Sequence, residues 1–167
     1  MASSIASQVQ QQAIKEVFEV LIRLKEDIRQ ELTEQGHVLT GSLINNIELK
    51  VKTISDGILG EIYMLDYWED LETGVKPEDL PSNHQDRLLD YFTARGVDDP
   101  DMAALNTLRV HFKTGIPTAG SYEYTNNGRR TGFLSHVVEE RREDITELLS
   151  QSDLIVQAIN TIISKNK

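Results

Sequence analysis

Apolar residues recur at three- and four-residue steps near the start of the chain: Ile14, Val17, Phe18, Leu21, Leu24, Ile28 and Leu32. At 3.6 residues per turn these side chains share one face, so the spacing predicts an amphipathic helix from a cap at Ser3 or Ser4 to about Gln35. Lys15, Glu16, Glu19, Arg23, Lys25, Glu26 and Arg29 fall between them and form the wet face, and Gly36 supplies the stop. From Leu43 the period drops to two. Ile47, Leu49 and Val51 point one way, and Glu48, Lys50 and Lys52 the other. Ser55-Asp56-Gly57 is a turn signal and Ile58–Leu65 the returning strand, with Gly60 marking a bulge.

Tyr67–Leu71 is expected to be a further short strand or extended edge, followed by an acidic loop between Gly74, Pro77 and Pro81. Ser82 or Asn83 caps a helix through about Ala94 with Leu88, Leu89 and Phe92 inward, and Gly96 ends it. Asp98-Asp99-Pro100 opens the next helix, since Asp suits the N-cap and Pro the first helical position. It carries Met102, Leu105, Leu108 and Phe112 and stops at Gly115. After a polar stretch from Pro117 to Gly132, Phe133 or Leu134 opens a C-terminal helical region lined by Val137, Val138, Ile145, Leu148 and Leu149, with a break at Ser150–Asp153. The expected class is α+β. A small antiparallel sheet is packed by a long N-terminal helix, two short middle helices and a C-terminal helical region. Residues 1–12, rich in Ser, Ala and Gln, are expected to be a flexible segment ahead of one domain over 13–167.

Charge narrows the function. The chain has 27 acidic and 17 basic residues, a net of −10. Of that, −9 falls between Glu61 and Asp101, which hold 12 acids and 3 bases. A stretch this negative repels phosphate backbones, so gripping nucleic acid is not the expected task. It suits basic partners or a wall along which DNA slides, and otherwise it is a solvated face. With no cysteine, disulfides and thiolate metal sites are unavailable. No apolar run approaches the ~20 residues of a membrane span and no secretory leader is visible, so the chain is expected to be soluble where it is made.

Candidate chemistry is thin. Glu48-Leu49-Lys50 on a strand has the E-x-K form used by metal-dependent nucleases, with Asp56 or Asp27 as a further ligand. Opposite charges on the polar face of a strand are also ordinary, and the expected spacing of the first acid is missing. His37, His84, His111 and His136 are scattered without zinc spacing, and the Asp98/Asp99/Asp101 cluster reads as a helix cap. No phosphate loop, dinucleotide fingerprint or nucleophile elbow occurs. The expectation is therefore a non-enzymatic protein with no cofactor and no metal, with a nuclease on Glu48 and Lys50 as the alternative. Tyr67-Trp68 is an adjacent aromatic pair, readable as a core anchor or an interface hot spot. Arg129-Arg130 lies in an Asn/Gly loop where it can meet a neighbour's acidic patch, whereas Arg141-Arg142 suits i,i+4 salt bridges within a helix.

One order of motifs goes further. Leu39-Thr40-Gly41-Ser42-Leu43 with Ile47 is followed by Tyr67 and Glu72-Thr73-Gly74, and then by Leu88-Leu89-Asp90-Tyr91-Phe92 with Arg95-Gly96-Val97. Gly115-Ile116-Pro117 and Phe133-Leu134 complete it. This order resembles the tail-completion and head–tail joining (neck, minor tail) proteins of tailed bacteriophages, over roughly Val17 to Leu149. Phe92 or Tyr91 stands where that family usually has a tryptophan, and the acidic Pro77–Asp86 stretch departs from its pattern. The resemblance implies a structural virion protein at the head–tail junction or tail end, made in the host cytoplasm. It further implies a homo-oligomeric ring, a hexamer or dodecamer, that seals a joint against neck, portal-adaptor or tail proteins. DNA passes through such a ring without specific binding. The interface residues expected on this basis are Thr40, Gly41, Tyr67, Trp68, Glu72, Gly74, Arg129 and Arg130.

Overall fold

A computed structural model describes residues 2–37, 41–55 and 57–150. The expected α+β class holds: a long helix α1 (Ala2–Glu34) lies on an antiparallel hairpin of β1 (Glu48–Ile54) and β2 (Gly57–Tyr63). The helix starts at Ala2 and so runs through the Ser/Ala/Gln segment read as flexible. A single-turn helix α2 (Ser42–Asn45) precedes the hairpin, entered through Gly41 in the left-handed conformation (φ 64°). The segment read as a strand, Tyr67–Leu71, is instead helix α3 (Trp68–Thr73). Then come α4 (His84–Ala94), α5 (Pro100–Thr114), α6 (Phe133–Glu140) and α7 (Arg142–Ser150). The break in the last helical region falls at Arg141; the expected site, Ser150–Asp153, extends beyond the described residues.

Period-two patterning sets the hairpin register. Leu49 faces Ile62, Val51 faces Gly60 and Thr53 faces Ile58 on the side toward α1. Lys50 opposite Glu61 and Glu48 opposite Tyr63 occupy the outer side. Gly60 is no bulge, because the ladder is regular through it. Its role is close approach: a Cβ there would sit 3.1 Å from side-chain atoms of Val17 and Leu21. The core is aliphatic, with Val17, Leu21, Leu24, Ile28 and Leu32 of α1 buried against Ile47, Ile58, Ile62, Phe133 and Val137. Phe18, placed on the apolar stripe by spacing, is 43% exposed. Lys25 reaches across to donate to the Ile47 carbonyl at 2.7 Å, fixing where the hairpin begins against the helix.

Helices α4 and α5 form a second, smaller packing unit around Leu88, Ala104 and Leu108. The Asp99 side chain accepts from Met102 N at 3.0 Å and Pro100 takes the first helical position, as the sequence predicts. Of the apolar residues on α5, Leu108 is buried, beside Ala104 and His111, while Met102 and Phe112 are 51% and 59% exposed. A short seam joins the unit to the rest. Val75 and Ile116 exchange backbone hydrogen bonds of 2.7 and 2.8 Å, between glycines in the left-handed region. A Cβ on Gly74 would lie 2.5 Å from the Ile116 carbonyl oxygen, and one on Gly115 would collide with that of Val75.

Candidate functional site

The C-terminal end of α1 organises its neighbours. Four carbonyls at a helix end lack intrahelical partners, and the end carries partial negative charge. The 117–132 loop answers both. Asn126 N donates to the Glu34 carbonyl at 2.7 Å, and Arg130 Nη1 donates to that of Gln35 at 2.5 Å. Buried Glu31 collects Asn127 Nδ2 at 2.9 Å, Arg129 Nη1 at 3.3 Å and buried Gln35 Nε2 at 2.9 Å. The arginine pair read as open toward a neighbour is therefore bound within its own chain. Arg141 is likewise no i,i+4 surface pair: its guanidinium holds Asp27 of α1 at 2.7 Å and Asp144 at 3.1 Å. Arg142 pairs with Glu139 at i,i+3.

Glu72 has an equally internal task. Its carboxylate accepts from Leu134 N at 2.8 Å and Ser135 N at 3.1 Å and takes a short bond from the Ser135 hydroxyl, while its carbonyl accepts from Gly132 N at 2.8 Å. A side chain 62 residues away in sequence thus caps α6, meeting the free N–H groups of that helix with negative charge. Trp68 packs half-buried on the main core, as the anchor reading predicts, although its Nε1 finds no acceptor.

A cleft of about 440 Å³ opens where the end of α1, α2, α3 and α4 meet. Of the expected interface residues it contains Tyr67 and Arg130, and it adjoins Gly41; Thr40 lies outside the described residues. Arg129 lines a separate polar concavity with Glu31 and His136. Sequence reading did not assign His37, Tyr91 and Arg95 to the cleft. Tyr91 and Arg95 are four residues apart on and just after α4, and the Arg95 guanidinium lies 5.0 Å from the Tyr91 ring centre. That spacing was the one available signal; His37 becomes a neighbour only when α1 ends. Burial, then the Arg130 charge, lowers the His37 pKa to about 4, so its ring is neutral at pH 7. The ring contacts the Arg130 carbonyl through Nε2 at 3.2 Å, which places the proton on that nitrogen. Burial also depresses the Arg130 pKa and pushes the Tyr67 hydroxyl up, the latter against a backbone hydrogen bond with Leu43.

The alternative pair lies elsewhere. Glu48 is exposed at the start of β1, and the Lys50 ammonium sits 4.1 Å from the Tyr63 ring centre. Lys52, not Lys50, forms the 2.6 Å ion pair with buried Glu61. Among the described residues no three His, Asp or Glu side chains come together as a metal site, and no helix is long and apolar enough to cross a membrane. Comparison with protein-family models, curated proteins and solved structures finds no match.

Proposed function

We propose that the chain is a structural adaptor of a tailed bacteriophage, assembling as a ring at the head–tail junction or tail end. The ring seals the joint, contacts neck, portal-adaptor or tail proteins and leaves a bore for DNA. The carrying observation is that separate segments of the family resemblance hold one another. Glu72 of the Glu72-Thr73-Gly74 turn caps the helix that opens at Phe133-Leu134, and Gly74 abuts Ile116. Val75 then pairs with Ile116, and Tyr67 shares a hydrogen bond with Leu43. These contacts bring the motifs together in three dimensions, which supports reading them together. The −9 charge from Glu61 to Asp101 fits a surface that lets DNA slide.

Phage particles assembled without this chain test the reading by electron microscopy. Filled heads separated from tails, or heads that lose their DNA, are expected. Sealed and infectious particles would overturn it, as would phosphodiester turnover by the purified chain that disappears in Glu48→Ala.

A further inference from the structure

We infer that the cleft between the end of α1 and α4 is a carboxylate-binding site, with Arg95 and Arg130 as its cationic groups and Tyr67 and Tyr91 as its walls. The residues lining it include two arginines and no aspartate or glutamate. In a chain with 27 acids and 17 bases that is a contrast with Arg129 and Arg141, which meet carboxylates, Glu31 and Asp27. Arg130 is half-buried, its Nε has no acceptor, and its bond to Gln35 goes to a neutral carbonyl. Arg95 rests on Tyr91, which leaves its charge in place. Removing the Arg130 cation partly from water without a counter-ion is unfavourable, and an incoming anion relieves that cost.

The chemistry favours a carboxylate over a phosphate. A guanidinium matches the planar two-oxygen edge of a carboxylate, and apolar and aromatic walls such as Leu43, Leu71 and Tyr91 suit the methylene stem behind it. A phosphate keeps more hydration and gains less from such walls. The carboxylate has two sources: an acidic side chain of a second copy of this chain, or a free small carboxylate. The assignment of the cleft does not depend on the adaptor reading, since the free-ligand measurement tests the chemistry without any assembly.

The full chain is titrated at pH 7 with glutarate and, separately, with inorganic phosphate, following backbone amide resonances by NMR. Glutarate is expected to shift amides around Tyr67, Tyr91 and Arg95 saturably, with phosphate at least about tenfold weaker. Arg95→Gln, at an exposed position, is expected to weaken glutarate by about tenfold with an unchanged melting temperature, and Arg95→Lys to recover part of the loss. Sedimentation velocity separates the sources. Self-association lost in Arg95→Gln and competed by glutarate assigns the group to a second copy, whereas a monomer that still binds glutarate assigns it to a free carboxylate. Equal or tighter phosphate binding, shifts that map elsewhere, or no saturable shift with glutarate would overturn the site.

Discussion

The α1–hairpin–α6 body and the α4–α5 pair are built on opposite economies. In the body, fourteen buried apolar residues form one cluster, with Ile28, Leu32, Ile62 and Phe133 fully excluded from water. Its polar groups are used as ties: Glu72 across to α6, Glu31 to the 117–132 loop, Arg141 back to Asp27. The α4–α5 pair buries three apolar residues and leaves Met102, Val110 and Phe112 exposed. Its interior includes two histidines, His84 and His111, with Nε2 and Nδ1 2.7 Å apart. Burial of apolar area scales with stabilisation, so the body carries the fold and the pair is the part able to open first. Charge does not follow the same division: from His84 to Thr114 the pair carries five acids and four bases, and most of the acidic stretch's net charge falls before it, between Glu61 and Asp79.

The sharpest way to break this comparison is to cut a methyl cluster from each region. Ile28→Ala is expected to lower global stability by about 2–5 kcal/mol, and Leu88→Ala to act locally. Native-state hydrogen exchange checks it. Ile28→Ala should reduce protection in every element, while Leu88→Ala should reduce it across α4 and α5 and leave α1 and the hairpin unchanged. One common loss across all elements in both variants would mean that the two regions open together.

A smaller effect sharpens the account of how the body is tied. Glu72→Ala removes the cap on α6 and the link from α3, and is expected to cost about 1–2 kcal/mol, seen as a lower denaturation midpoint. Glu72→Gln keeps one acceptor oxygen but loses the charge at the helix N-terminus, and should fall between. Equal midpoints for the wild type and Glu72→Ala would reduce the contact to a surface accident.

The contrast between regions also decides what was legible in the sequence. Helix α1 and the hairpin were readable because long runs keep one period, 3.6 or 2, and a large core enforces it. Helix α3 was not, since six residues beginning with Trp68 are too few to display a period and aromatic residues favour strands. On α5 the apolar residues Met102, Leu105, Leu108 and Phe112 did not by themselves mark an inward face, and of them Leu108 is buried. A three-residue core does not need the bulkiest side chains, so Ala104 fits close to α4 while Met102 and Phe112 remain outside. The body's ties were invisible because they join residues 62 to 114 positions apart: Glu72 to Leu134, Glu31 to Arg129, Asp27 to Arg141. For the cleft, Tyr67 and Arg130 were among the expected interface residues, but the end of α1 that brings them together with Arg95 leaves no local pattern.

The histidine pair gives the mildest and most selective test. Burial, followed by the Arg87 charge, lowers the His84 pKa; burial, followed by His84, lowers that of His111 to about 4. The bond needs one ring to accept, so it is lost when both rings are protonated, which also sets two cations with ring centres 5.1 Å apart. A folded-state pKa below the ordinary 6.5 means that the unfolded pair binds protons first as pH falls. The stability contribution is therefore intact above about pH 6.5 and is lost progressively down to about pH 4. At pH 5 the protection of α4 and α5 amides is expected to drop roughly tenfold relative to pH 7, after correction for intrinsic exchange and with water's access to the pair allowed for. His111→Gln should flatten that slope within α4 and α5. His37 also has a depressed pKa, near 4, so α1's end retains its own acid sensitivity in the same variant. If the slope survives His111→Gln unchanged, acid loosens α4–α5 through its carboxylates, and the pair is packing without a titration role.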